Sequence, residues 1–269
     1  MNKKTYAEMF KESKENNEGV FIPFLVVGDP NYETSIEIAK LLTDKVDALE
    51  IGFPFSDPVA DGKSVQEADL RAFNAGITTE KCFKFLEELR KYSDIPIGLL
   101  LYYNLIFNYG IEAFYKRLSE IGINAVLTAD LPPEEAEESI KIANKYGIEQ
   151  IFIVSQKTSN DRLKKISEFA KGFIYVASVM GTTGARTTVE HDTTNLIKRI
   201  KEHSNLPLCV GFGISKPEHV KEILGAGSDG AIVGSALINI IADNINDKDK
   251  MMDKISKYVI KMKDATRGI

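Results

Sequence analysis

Eight short apolar runs, separated by stretches of helical periodicity, restrict the fold of this chain more than any other feature. The runs are Val20–Val27, Val46–Ile51, Ile95–Leu101, Ala125–Thr128, Ile148–Val154, Phe173–Ala177, Leu206–Val210 and Gly230–Val233. Little polar alternation breaks them, the mark of strands covered on both faces. Helical patterns fill the gaps: Ser35–Leu42, Thr79–Leu89, Glu112–Leu118, Glu134–Ala143, Asp161–Phe169, Thr194–Ile200 and Pro217–Leu224, with Met251–Met262 closing the set. Strand and helix alternating eight times imply an α/β fold whose parallel sheet closes on itself, a single (β/α)8 TIM barrel. An open doubly wound sheet would usually carry G-x-G-x-x-G after its first strand; here the turn is Gly28-Asp29-Pro30. An extra N-terminal helix, Tyr6–Lys14, precedes the first run and is placed to plug the barrel's bottom. No linker, low-complexity tract or fixed-period repeat interrupts the 269 residues, so 1–269 read as one barrel domain.

The net charge of −5 advertises no basic face, which argues against nucleic acid or an anionic membrane as partner. An anionic ligand must then be held by local backbone donors. The N-terminal Met-Asn-Lys-Lys-Thr-Tyr has no apolar segment behind its charges, and no apolar run reaches membrane-spanning length, so the chain reads as cytoplasmic. Cys82 falls in a helical pattern and Cys209 in a strand; both read as buried thiols rather than a disulfide or a nucleophile. The three histidines, His191, His203 and His219, have no metal-site spacing; the last two lie in helical patterns and read as surface residues, and no metal is expected.

Chemistry in such barrels sits at the C-terminal ends of the strands. Glu50 comes one residue before the end of the second run, with Ala48, Leu49 and Ile51 around it. A carboxyl in apolar surroundings has a raised pKa, which suits a general acid–base; a salt bridge is the plainer alternative. The loop Gly52-Phe53-Pro54-Phe55-Ser56-Asp57-Pro58-Val59-Ala60-Asp61-Gly62 follows. Ser-Asp-Pro is a turn signature, so Asp57 is expected to cap its own backbone. Asp61 is equally readable as a turn residue or as a second acid facing Glu50. Two such acids are the minimum for proton transfer at two points of one substrate.

Late strand ends carry glycines: Gly181-Thr182-Thr183-Gly184 after the sixth run, Gly211-Phe212-Gly213-Ile214-Ser215 after the seventh, and Gly234-Ser235 after the eighth, opening a short helix Ala236–Ile240. Bared amides and a helix N-terminus make a phosphate cradle without lysine, in the place where barrels often bind phosphate. Ordinary βα turns are the alternative. Val179–His191, rich in Gly and Thr, reads as a long loop able to close as a lid. Phe24, Tyr102, Tyr175 and Phe212 lie on or just past strands, where they either fill the barrel or face a flat aromatic substrate.

The segment Glu50–Gly62 resembles the signature of the tryptophan synthase alpha subunit family. The resemblance extends to Phe21-Ile22-Pro23-Phe24 with Gly28-Asp29-Pro30, Tyr102-Tyr103-Asn104 with Phe107, Asp130-Leu131-Pro132-Pro133-Glu134-Glu135, Gly181–Ala185, Gly211–Ser215 and Gly234-Ser235. It implies a lyase that cleaves indole-3-glycerol phosphate to indole and glyceraldehyde 3-phosphate in tryptophan biosynthesis. It further implies Glu50 as acid–base, protonating indole C3 and taking the proton of the adjacent hydroxyl, and Asp61 as the acid on the indole N–H. Phe24, Leu100, Leu127, Ile153, Tyr175, Phe212 and Ile232 match the indole pocket, Gly184, Gly213, Gly234 and Ser235 the phosphate cradle, and Thr183 the lid. No cofactor is implied in this chain; the partner is a beta subunit carrying pyridoxal phosphate, met by Gly52–Asp57, Asn104–Phe107 and Pro132–Pro133. Phe53, Pro54, Asn104, Phe107, Pro132 and Pro133 are expected to follow strands rather than sit in helices, with Phe53 and Phe107 exposed. The chain departs from the family pattern in having Val179-Met180 where an Arg is common, and Lys63 where Pro often follows Asp-Gly.

Two rival readings remain at the level of sequence. Another phosphate-binding barrel of the same pathway would need a different acid–base set, such as a strand-end Lys, and the strand interiors hold none. A catalytically idle barrel acting only as an activating partner would have no need of both acids.

Overall fold

The computed structural model describes residues 3–178 and 186–268, with side chains throughout except at residues 186–192. Eight parallel strands close into a barrel in chain order: β1 Val20–Val26, β2 Leu49–Gly52, β3 Ile97–Leu101, β4 Ala125–Thr128, β5 Glu149–Val154, β6 Ile174–Ala177, β7 Leu208–Gly211 and β8 Gly230–Val233. β8 pairs back onto β1. All eight expected strands are present. Three begin two or three residues later than their apolar runs, at Leu49, Ile97 and Leu208. The residues left over serve the approach to the strand; Asp47, for example, accepts the Phe21 amide at 2.7 Å.

Side chains alternate between two apolar clusters, as the strand period of two requires. Leu25, Ile51, Leu99, Val126, Phe152, Val176, Val210 and Ala231 face outward beneath the helices. Ile22, Ala48, Ala125, Leu127, Ile151, Tyr175, Cys209 and Ile232 fill the interior. Helix α1, Tyr6–Glu15, precedes β1, and the outer layer is α2 Tyr32–Thr43, α3 Lys63–Asn74, α4 Thr79–Tyr92, α5 Tyr103–Tyr109, α6 Ile111–Ile121, α7 Glu137–Lys145, α8 Asn160–Phe169, α9 Arg186–Lys201, α10 Pro217–Gly225, α11 Ser235–Ala242 and α12 Lys248–Asp264. Among the described residues no helix is long and apolar enough to cross a membrane.

Two helices had no sequence signal. On α3 the buried residues are Ala68, Asp69 and Ala72, two small side chains and an acid, which make no apolar stripe. On α5 only Ile106 is buried. Asn104 and Phe107 therefore sit in a helix, against expectation. Phe53 is buried rather than exposed, with its ring edge-on to Phe83 at 5.6 Å. The expected loop Val179–His191 is corrected over its second half: α9 starts at Arg186, because an established helix extends upstream at little cost. Its first half, Val179 to Ala185, lies outside the described residues. Helix α7 starts at Glu137, three residues late, because Pro132-Pro133 lead into a turn in which Glu135 N–H donates to Pro132 O at 3.0 Å. Cys82 on α4 and Cys209 on β7 are free and buried. His203 lies in the turn after α9, not within a helix; it and His219, which is on α10, are half-buried rather than fully exposed.

Helix α1 closes the bottom. A capping box starts it: the Glu8 amide donates to Thr5 Oγ1 and the Thr5 amide to Glu8 Oε2. Tyr6, Met9 and Phe10 then enter the interior cluster, where Tyr6 meets Phe173 edge-on at 5.3 Å. Gly98 on β3 makes room for Tyr6: a Cβ there would come within 2.7 Å of Tyr6 Oη. Gly98→Ala should therefore cost about 1–3 kcal/mol as overpacking. Tyr6→Phe in the same chain should restore part of it. Urea unfolding of the three variants checks this; equal midpoints for Gly98→Ala and wild type would exclude the contact.

Candidate active site

Glu50 occupies an inward position of β2, in register with Phe24 of β1 and Gly98 of β3. It is buried, at 4% exposure. Burial, and secondarily the negative charge of Asp61, push its carboxyl up to about 8. Among the described residues no cation contributes to that balance. The group is thus mostly protonated at neutral pH and close to the range in which one carboxyl can both give and take a proton.

Asp61 stands at the end of the loop from β2 to α3. Tyr102, just past β3, donates its hydroxyl to Asp61 Oδ2 at 2.8 Å and accepts the Ala60 amide at 2.9 Å. Its ring stacks on Phe55 of the same loop, centroids 4.7 Å apart. Burial raises the Asp61 carboxyl and the Tyr102 hydrogen bond opposes it. Asp57 does not cap its backbone through its side chain as expected; that carboxylate accepts the Ser56 hydroxyl. The turn is made by main chain instead, Val59 N–H to Asp57 O at 2.8 Å and Asp61 N–H to Pro58 O at 3.1 Å, because two prolines fix φ on the loop.

Two further acids crowd this edge of the barrel. Asp69, buried on α3, accepts the Phe55 amide; burial, then the charges of Asp61 and Asp29, push it up to about 8. Asp29 is buried after β1 and held by both arms of Arg71, Nε to Oδ1 at 2.6 Å and Nη2 to Oδ2 at 2.9 Å. A cavity of about 10 Å³ separates Asp61, Asp69, Tyr102 and Phe24. Sequence reading missed Asp69 along with its helix. It treated Tyr102 as an aromatic surface and so missed its hydroxyl.

The aromatic and aliphatic candidates come together. Phe24 lies between Gly52 and Gly234; a Cβ at either would approach its ring, to 2.6 Å and 3.2 Å. Leu127, Tyr175 and Ile232 belong to the interior cluster, and the partly exposed Leu100 and Ile153 pack against it. Phe212 follows β7 with its ring 5.8 Å from Tyr175, edge-on, and 47% exposed.

Of the phosphate candidates, Gly213 has φ +74°. Gly234 precedes α11, whose N-terminus has no side-chain cap, and Ser235 opens it. Gly184 and Thr183 lie outside the described residues. His219 on α10 accepts the Ser215 amide through Nδ1 at 3.3 Å. Among the described residues no three His, Cys, Asp or Glu side chains are grouped to hold a metal ion.

A family profile described as tryptophan synthase alpha chain matches residues 10–267. The tryptophan synthase alpha chain of Methanothermobacter thermautotrophicus is 53% identical over 262 residues, 97% of this chain and 96% of that one. The chain of the same name from Helicobacter pylori is 46% identical, covering 94% and 97%. Among solved structures, the alpha subunit from Legionella pneumophila superposes with a TM-score of 0.89 at 30% identity, covering 97% of each chain. A chain of the Pyrococcus furiosus tryptophan synthase α2β2 complex gives 0.85 at 36% identity, covering 91% of this chain and 98% of that one. With the profile spanning nearly all of the sequence, the chain belongs to the tryptophan synthase alpha chain family.

Proposed function

We propose that Glu50 and Asp61 are the pair with which this chain cleaves indole-3-glycerol phosphate to indole and glyceraldehyde 3-phosphate. The observation that carries the assignment is a carboxyl raised to about 8 at an inward strand position, within the field of a second acid. Protonated Glu50 gives its proton to indole C3. The ring becomes cationic, and the Asp61 carboxylate, accepting the indole N–H, stabilises that charge. Glu50, now ionised, takes the proton of the side-chain hydroxyl next to C3. The C–C bond breaks, its electron pair returns to the ring, and the aldehyde leaves. Phe24, Leu100, Leu127, Ile153, Tyr175, Phe212 and Ile232 flank the indole in this reading. Gly184, Gly213, Gly234 and Ser235 offer amides to the phosphate, and Thr183 belongs to the segment that covers it.

The same reading gives the chain a beta-subunit partner, which would hold pyridoxal phosphate and receive the indole, with both acting in the cytoplasm. The favoured docking face is a groove of about 410 Å³ lined by Phe53, Pro54, Phe55, Phe73, Asn104 and Leu105. Phe107, at 63% exposure, is the large apolar side chain that α5 presents to solvent. Leu70 and Phe73 of α3 and Val59 of the loop are exposed as well. Such apolar exposure favours a partner surface. Pro54 and Pro133 are buried and would shape the face rather than contact the partner.

Experiments at Glu50 and at Phe107 test this. Indole release from indole-3-glycerol phosphate should fall about 10²–10⁴-fold or more in Glu50→Gln, and the wild-type rate should decline as pH rises through about 8. Stability should respond to pH as well. A carboxyl raised in the folded state stabilises below its unfolded value of 4.5, and that contribution is lost as pH rises toward about 8. Wild type should therefore lose stability relative to Glu50→Gln across that window; parallel pH–stability curves, or normal turnover in the variant, would remove Glu50 from its role. For the partner, Phe107→Asp should weaken binding to a competent beta subunit by about tenfold or more while the rate of the free chain stays unchanged. Undiminished binding would move the docking face elsewhere.

A further inference from the structure

We propose that Ser178 is a positioning residue for this reaction, holding the turn after β7 in the backbone conformation that presents it to the phosphate ester. The inference rests on the phosphate reading above. Ser178 comes directly after β6 and is buried. Its amide donates to Gly211 O at 3.0 Å, continuing the β6–β7 ladder. Its hydroxyl lies 3.0 Å from the same oxygen and 2.7 Å from Phe212 O. A hydroxyl has one proton to give. Gly211 O is already served by the Ser178 amide, so the shorter contact to Phe212 O takes it.

Phe212 needs such a hold. Its φ is +67°, a conformation that a side chain with a Cβ disfavours and that persists only where the surroundings enforce it. Burial of its own ring cannot enforce it, since that ring is half exposed and touches Tyr175 only edge-on. Downstream the turn is anchored by the buried Ile214, and Ser215 O accepts the Tyr258 hydroxyl at 3.2 Å. Upstream, the anchor acting on the strained residue itself is Ser178. Phe212 and Gly213 are consecutive left-handed residues, φ +67° and +74°, and their orientation decides where the Gly213 amide points. Released from Ser178, the Phe212 peptide would relax toward negative φ and turn that amide away from the ligand.

The test is a double-mutant cycle read by calorimetric binding of inorganic phosphate and by steady-state cleavage. Ser178→Ala should weaken phosphate binding and raise KM by the same factor, about three- to tenfold for one lost hydrogen bond, with kcat at saturation nearly unchanged. Ser178→Cys, close in size and a weak donor, should fall between Ala and wild type, and it carries the test if the Ala variant folds poorly. Left-handed φ costs glycine little, so in a Phe212→Gly background the same Ser178 change should cost less than twofold. An equal loss in both backgrounds, or a fall in kcat with KM and phosphate affinity unmoved, overturns the proposal. Gly234→Val separates the layers. If it abolishes phosphate binding while Ser178→Ala leaves it intact, only the role of Ser178 fails. If Gly234→Val binds phosphate like wild type, the cradle reading fails and this inference with it.

Discussion

A carboxyl group inside an apolar barrel, with no cation among the described residues contributing to its ionisation, is the constraint around which this structure is arranged. Desolvation dominates the Glu50 proton affinity, with Asp61 adding to it. Placing such a group in a dry interior disfavours its ionised form and makes it an effective proton donor near neutral pH. The fold tolerates this because the barrel is over-determined elsewhere. Every strand is paired on both sides, and its interior and exterior faces each bury a continuous apolar cluster.

The neighbouring acids are raised by burial as well, but each meets a different partner. Asp29 is neutralised by the two-armed contact with Arg71. Asp69 is raised to about 8 while accepting the Phe55 amide, so it anchors the loop at little cost in charge. Asp61 keeps a hydrogen bond from Tyr102, which favours its ionised form. Burial raises Asp61 as it raises Glu50, but at Asp61 the Tyr102 hydrogen bond opposes that shift, whereas at Glu50 the charge of Asp61 adds to it. Tyr102 does double duty here, since its hydroxyl also fixes the Ala60 amide and its ring braces Phe55. The same side chain thus fixes the reach of Asp61 and opposes the effect of burial on its charge.

The barrel was legible in the sequence because strands buried on both faces leave uninterrupted apolar runs, and eight of them alternate with helices. Glu50 was legible for the same reason: a charged residue in such a run is conspicuous. What escaped depended on contacts between distant elements. Asp69 lies on a helix whose buried face is two alanines and an acid, so hydrophobic periodicity was silent. Phe53 and Phe107 are alike in sequence, yet one packs edge-on against Phe83 and the other faces solvent, a difference set by the turn after β2 and by the short α5. Asp57 looked like a capping residue because Ser-Asp-Pro is a turn signature, but the main chain makes that turn. Nothing local marks Ser178, whose acceptor Phe212 O is thirty-four residues away.

The plug and the catalytic end of the barrel share one dry column. Tyr6, rising from α1 beside Gly98, is close enough to Glu50 for that charge to help raise its phenol, after burial itself. Tyr175, nearer the mouth, is raised by burial and again by Glu50. Glu50 therefore lies between a phenol below and a phenol above, and neither brings a positive charge. Helix α1 is usually reckoned as stability at the bottom of a barrel and the strand ends as function at the top. Here the division does not hold for the interior: by excluding water from beneath Glu50, the capped helix and its Tyr6, Met9 and Phe10 side chains maintain the desolvation that keeps the acid protonated. Loosening the bottom of the barrel would admit water to Glu50 and lower its proton affinity, coupling the fit of the N-terminal helix to the pH range in which the site at the opposite end can work.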